Sequence, residues 1–123
     1  MTIGNVQISG IVYPIRLIYR KRQSRGVSVS GVTKIVSFGF EETFIIIRLQ
    51  KENISIAQNL YNYIRDTANY SANCLNITPD PDIDLSNGTG NIITVRYWSD
   101  DFEYVCQTGN LFDFEFIFRK EII

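Results

Sequence analysis

The stretch TKIVSFGFEETFIIIRLQ, residues 33–50, decides the fold, because β-branched and aromatic residues dominate it. Such residues favour a pleated, half-buried surface. Between Phe44 and Leu49, apolar side chains alternate onto both faces of an extended chain, which indicates burial on two sides. Gly39 interrupts the run and marks a bulge or a turn. The stretch predicts a long strand, or a bent pair of strands, at the centre of a sheet.

Segments of similar composition lie on both sides of this stretch. Upstream, Pro14 separates two of them, and the second alternates apolar with mainly basic residues. The last segment of the chain places four phenylalanines on one face and a mainly acidic set on the other. Polar residues from Gln23 to Gly26 predict a loop, followed by a short strand that ends at Gly31. The other predicted strands are Val6–Val12, Ile15–Arg22, Cys74–Ile77, Ile92–Trp98, Phe102–Cys106 and Leu111–Arg119.

The middle of the chain changes to a helical period. Apolar residues recur every four positions from Ile56 to Ala68, and Asn53 or Ser55 can cap the first turn. This pattern predicts one amphipathic helix, and its apolar stripe is more typical of docking on a sheet than of cofactor binding. Strands, one helix and further strands predict an α+β, mainly-β fold in a single domain, residues 1–123.

The composition removes most enzyme classes. The 123 residues include no histidine and only two cysteines, which excludes a Ser-His-Asp triad, a Cys-His dyad and a His-ligated zinc site. Asp80, Asp82 and Asp84 resemble the start of a calcium loop, but Leu85 and Asn91 replace the required glycine and bidentate glutamate. We therefore expect no enzyme activity, no catalytic residue, no cofactor and no metal.

The ends and the apolar runs of the sequence predict no membrane segment. Met1 to Gly10 lacks the basic and apolar regions of a secretory signal. The longest apolar run, Phe44 to Ile47, is far below the ~18 residues that a membrane span needs. Cys74 and Cys106 can pair as a disulfide in an oxidising compartment, whereas two buried thiols are the commoner state of such a pair in an intracellular protein.

The near-zero net charge conceals a division of the chain. Residues 1–40 carry six basic and no acidic side chains, whereas residues 41–123 carry six basic and thirteen acidic ones. The formal net charge of -1 is thus the sum of +6 and -7. Such asymmetry is typical of a basic arm that meets nucleic acid or an acidic partner, although paired strands can also mix the two charges on one surface.

Six segments follow one another in a characteristic order: Pro14–Val27, Val29–Lys34, Glu41–Leu49, Ile56–Ala68, Tyr97–Asp100 and Leu111–Glu121. In this order they resemble phage tail and baseplate proteins of the distal-tail or tube-initiator type. In that family a basic Ser-Arg strand leads through a glycine-containing turn to a strand that closes a long hairpin. The resemblance also covers the central helix and the last strands.

This resemblance implies a tail-tube-like β-sandwich or barrel with a long N-terminal hairpin and one flanking helix. It further implies a structural protein of the virion, made in the host cytoplasm, whose copies form a ring in the tail or baseplate. The implied partners are other copies, tail-tube proteins and baseplate or hub proteins. Passive contact with DNA in the tube lumen fits such a role, whereas recognition of a specific nucleic acid is not expected.

Two sets of residues are candidates for a functional surface. For ring assembly, a basic N-terminal face would meet an acidic face of the next copy: Arg16, Arg20, Lys21, Arg22, Arg25 and Lys34 against Asp100, Asp101 and Glu103. The alternative is a β-sandwich module that binds a carbohydrate or a receptor through Tyr97, Trp98 and Tyr104 with the loop Asp80–Asp84. A core or a subunit interface is the commoner location for such aromatic residues.

Overall fold

The computed structural model describes residues 1–12, 14–109 and 111–121. Within these residues the chain forms nine strands and one helix, whose last turn is a π-helix. The strands are β1 (Thr2–Ile3), β2 (Val6–Gln7), β3 (Ile11–Val12), β4 (Arg16–Val27), β5 (Thr33–Asn53), β6 (Leu75–Thr78), β7 (Ile93–Tyr97), β8 (Tyr104–Thr108) and β9 (Leu111–Lys120). The helix α1 spans Ile54–Asn62 and continues as the π turn Tyr63–Thr67.

All nine strands belong to one antiparallel sheet. Its order is β2-β1-β6-β7-β9-β5-β3, with β4 paired to β5 and β8 paired to β9. The predicted class, mainly β with a long hairpin and one helix, is confirmed, and the sheet is open rather than closed into a barrel. β5 and β9 form its centre, since they pair with each other and with four of the other strands.

The hydrophobic core lies between one face of the sheet and α1. The helix and its π turn contribute Leu60 and Ile64, as the four-residue spacing predicts, together with Ala57; all three are almost completely buried, whereas Ile56 is half-buried. Alternate residues of the two central strands face them: Ile45, Ile47 and Leu49 from β5, and Phe114, Phe116 and Phe118 from β9. The predicted cap is also confirmed, because Asn53 Oδ1 accepts a hydrogen bond from the Ser55 backbone N–H at 2.9 Å.

Strand Val6–Val12, predicted as continuous, is divided into β2 and β3. The break follows from a buried carboxylate: Glu52 accepts hydrogen bonds from Ser9 Oγ at 2.9 Å and from the Gly10 N–H at 2.8 Å. A side chain at Gly10 would place its Cβ 2.7 Å from the Gln50 carbonyl oxygen. The chain therefore bends here to satisfy Glu52, and only glycine fits this close approach.

The predicted loop at Gln23–Gly26 is wrong, because these residues continue β4. Each pairs with a residue of β5, from Gln23 opposite Ser37 to Gly26 opposite Lys34. The chain instead turns over residues 28–32, where the Ser28 N–H donates to the Val32 carbonyl at 2.8 Å. The predicted bulge at Gly39 is confirmed by its φ of +68° and by a register shift between Arg20 and Arg22.

Candidate assembly surface

Residues 21–37 form a two-stranded projection, here called the arm. Residues 22–27 and 33–38 pair with each other, and no other strand in the described part of the chain pairs with them. Every described side chain in the arm is exposed except that of Ser28, which is half-buried. The arm therefore stands outside the packed body, with the outer edges of both of its strands available for contact.

The arm carries aliphatic side chains that no part of the described chain covers. Val29 is fully exposed, and four others are more than half exposed: Val27, Val32, Ile35 and Val36. A single exposed aliphatic residue is ordinary, but five on one hairpin form a patch that is typical of a contact surface. These residues were not among the predicted site residues: the sequence predicts Val27 and Val29 in a short strand that ends at Gly31, where the structure has a turn, and Ile35 and Val36 in the long strand.

The two faces of the arm carry different residues of the same two kinds. Arg25 is paired with Ile35, so both project from the same face, and Val27 lies two residues along on that face. The opposite face presents Lys34 and Val36. Each face thus combines a basic side chain with an aliphatic one, a mixture suited to an acidic surface that has an apolar part.

The root of the arm is held by a shared carboxylate. Glu42, 8% exposed, accepts a hydrogen bond from Arg22 Nε at 3.0 Å and another from Arg119 Nε at 3.1 Å. Burial opposes the charge of this carboxylate, but the two guanidinium groups outweigh that effect and hold the pKa of Glu42 below its ordinary value. The network connects β4, β5 and β9 where the arm leaves the body.

Aromatic side chains extend this anchor. The guanidinium of Arg119 lies 5.2 Å from the ring centre of Trp98, and that of Arg20 lies 5.2 Å from the ring centre of Phe44. The two rings are themselves 6.5 Å apart. Of the six basic residues predicted for an interface, Arg20 and Arg22 therefore fix the arm to the body, whereas Lys21, Arg25 and Lys34 lie on the arm itself. Arg16 is exposed at the start of β4.

The predicted acidic residues lie on the other side of the sheet centre. Asp100 and Asp101 are exposed in the segment between β7 and β8. Glu103 lines a groove together with Arg48, Val105, Asp113, Phe114 and Glu115. Asp113 and Glu115 were not among the predicted site residues, although the alternation of β9 places acidic side chains on its outer face.

The aromatic surface predicted from Tyr97, Trp98 and Tyr104 is not formed as one surface. Tyr97 is buried against Phe116 and Phe118, and its hydroxyl donates to the Asp101 carbonyl. Burial raises the pKa of Tyr97. Trp98 projects from the opposite face of β7, as the alternation of a strand requires. Tyr104 packs on Phe112, with ring centres 5.1 Å apart.

In the loop Asp80–Asp84 of the predicted ligand surface, two of the three aspartates make contacts within the chain. Asp80 Oδ1 pairs with the N-terminal ammonium at 2.7 Å, and Asp84 Oδ1 accepts from the Gly88 N–H at 3.2 Å. In the described ranges, no three or more His, Cys, Asp or Glu side chains are grouped so as to hold a metal ion. No helix in the same part of the chain is long and apolar enough to cross a membrane.

The two cysteines differ from their predicted state. Cys74 and Cys106 are both free thiols, and both are exposed rather than buried. Cys74 immediately precedes β6, whereas Cys106 lies in the edge strand β8. Neither side chain contributes to the core, so the interpretation as buried thiols is wrong.

Comparison of the chain with known proteins identified no related family or protein. No protein-family model matches the chain, and no curated protein matches it.

Proposed function

We propose that the protein is a structural subunit whose copies join through the arm into a ring, as a component of a phage tail or a contractile injection baseplate. One observation carries the proposal. The arm is a basic hairpin with five exposed aliphatic side chains, and it has no covering partner within the described chain. Burying one such side chain contributes about 1.5–3 kcal/mol, so a partner surface would stabilise the arm substantially.

A second copy is the partner that the chain itself suggests. The arm is basic and the surface around Glu103 is acidic, and both belong to the same chain. A contact between two different surfaces of identical subunits is heterologous, and repetition of such a contact generates a ring when the rotation closes. Opposite charges across the contact steer the copies into one orientation.

The placement in a phage tail rests on the resemblance of residues 14–49 and of the last strand to distal-tail and tube-initiator proteins. A ring subunit of that kind would connect the tail tube to the baseplate or hub. The protein would then work through its surfaces, which agrees with a composition poor in catalytic side chains.

The test is the mass of the protein in solution. Light scattering should show a mass that rises with concentration toward a fixed multiple of the chain mass, and electron microscopy of that species should show closed rings. A protein that keeps the mass of one chain up to about 1 mM, where even millimolar affinities are detectable, would contradict the proposal.

A further inference from the structure

We propose that the groove between β8 and β9 receives the arm of a second copy. In this contact, Arg25 lies among the carboxylates of Glu103, Asp113 and Glu115, while Val27 and Ile35 cover Val105. The inference rests on the proposed self-assembly and adds to it the surface on which the arm docks and the face of the arm that enters.

The groove has the charge that the arm requires. Its described lining includes three carboxylates and one guanidinium, that of Arg48, so negative charge is in excess. Val105 lies opposite Asp113 in the ladder between β8 and β9 and is 55% exposed. An exposed aliphatic side chain bordered by carboxylates is the complement of an arm face on which Arg25 lies beside Ile35.

The Arg25 side chain can exchange its present contact for this one. Its guanidinium donates to Gln23 Oε1 at 3.2 Å, and both side chains are exposed. The carboxylates of the groove would give Arg25 an opposite charge and a bidentate geometry, which the neutral amide of Gln23 cannot supply. The aliphatic side chains beside Arg25 would be covered in the same contact.

The arm of one chain does not reach its own groove. Arg48 of the groove and Ile35 of the arm lie on the same strand, β5, at positions 13 apart. At about 3.3 Å per residue, this corresponds to roughly 40 Å along the strand. The contact is therefore made between copies, head to tail.

Nucleic acid is the other partner that a basic arm can bind. Phosphate groups would match Arg25 and Lys34, but they offer nothing to Val27 and Ile35, the exposed aliphatic side chains on the same face as Arg25. An acidic groove that contains an exposed valine accounts for both kinds of side chain, so the observations favour the second copy.

The experiment uses two double variants of the full chain. The arm variant, Arg25→Glu with Ile35→Asp, and the groove variant, Glu103→Lys with Val105→Lys, should each weaken self-association at least tenfold in sedimentation velocity. Mixed in equal amounts, they should form a heterodimer that does not grow, because one intact arm meets one intact groove. A contact of one arm with another arm would not give this result, because only one of the two variants then has an intact arm.

Two matched controls isolate the surfaces. Lys34→Glu with Val36→Asp changes the charge of the other arm face by the same amount, and this variant should still assemble. Asp82→Lys with Ile92→Lys changes an exposed acid and an aliphatic residue with the same exposure as Val105, away from the groove; it too should assemble. Because all the substituted side chains are exposed, the circular dichroism and melting temperature of every variant should match those of the unmodified chain.

Three results would overturn the inference. If the groove variant assembles as the unmodified chain does, the groove is not the docking surface, although self-assembly stands. If the unmodified chain does not associate at any concentration, both the inference and the proposed function fail. If the unmodified chain stays a monomer and binds duplex DNA with an affinity that the arm variant loses, the arm is a nucleic-acid contact instead.

Discussion

Glu42 is the residue on which the direction of the arm depends most. Its two carboxylate oxygens are divided between Arg22, at the root of the arm, and Arg119, in the central strand β9. A carboxylate that bridges two guanidinium groups in this way fixes both geometrically. The arm is consequently positioned by the body even though its own residues pack on nothing else in the described chain.

We predict that Glu42→Gln destabilises the fold in a pH-dependent manner. Because the pKa of Glu42 is lower in the folded chain than its ordinary value of 4.5, its charge stabilises the fold above that pH, and this stabilisation is lost as the pH falls through the lower folded value. The difference in free energy of unfolding between the two proteins should thus be constant near neutral pH and shrink below 4.5. Urea titrations from about pH 7 to about pH 3 measure it. A difference that does not change with pH would contradict the assigned role.

A second carboxylate, Glu52, is predicted to hold the N-terminal strands in place. It is completely buried and accepts hydrogen bonds from Ser9, Gly10 and the Asn53 N–H. Glu52→Ala should lower the free energy of unfolding by about 3 kcal/mol, because the Ser9 hydroxyl and the Gly10 and Asn53 N–H groups lose their acceptor. Glu52→Gln, which keeps one acceptor oxygen, should lose less. Equal losses in the two variants, measured by urea denaturation, would show that packing rather than hydrogen bonding explains the effect.

At the scale of elements, the periodic spacing of apolar residues predicted those helices and strands that have one face buried in the core. The helix, its Asn53 cap and the phenylalanines of β9 followed from spacing, since burial imposes one face on each element. The segment 23–26 was wrongly predicted because its polar residues resemble a loop, whereas cross-strand pairing with 34–37 makes it a strand. A pattern within one segment cannot reveal its partner in the ladder, so the length of the arm could not be predicted.

The arm is also predicted to be dispensable for folding. Residues 23–37 can be replaced by an Asn-Gly turn that joins Arg22 to Phe38, which are already paired. This deletion removes exposed side chains only, apart from Ser28, and should change the free energy of unfolding by no more than about 1 kcal/mol. Denaturant unfolding of a dilute sample measures the change. A large loss of stability would mean that the arm packs on the body.

At the scale of the whole molecule, the basic and acidic parts of the sequence lie on two different surfaces, the arm and the groove between β8 and β9. The basic half of the chain and the candidate residue Glu103 could be predicted from the sequence. That Glu103 lies beside Asp113 and Glu115 could not be predicted, because it depends on the pairing of β8 with β9. Nor could the sequence separate Arg20 and Arg22, which anchor the arm, from Arg25, which is exposed on it. Both distinctions arise from tertiary contacts.

Assembly is predicted to weaken with salt without disappearing. Raising the ionic strength from about 0.1 M to about 1 M shortens the Debye length from about 10 Å to about 3 Å and screens the contact between the arm and the groove. The buried aliphatic side chains keep their contribution. The dissociation constant should therefore rise with salt in the unmodified chain and rise less in Arg25→Gln. Equal slopes, measured by light scattering, would remove Arg25 from the contact.

The central claim is that the arm joins copies of this chain, and sedimentation velocity of the full chain beside the arm-deleted chain tests it most directly. Over the same range of concentrations, the full chain should form a larger species of fixed size while the arm-deleted chain sediments as a folded monomer. Assembly of the arm-deleted chain to the same size, or a full chain that remains monomeric throughout, would contradict the account.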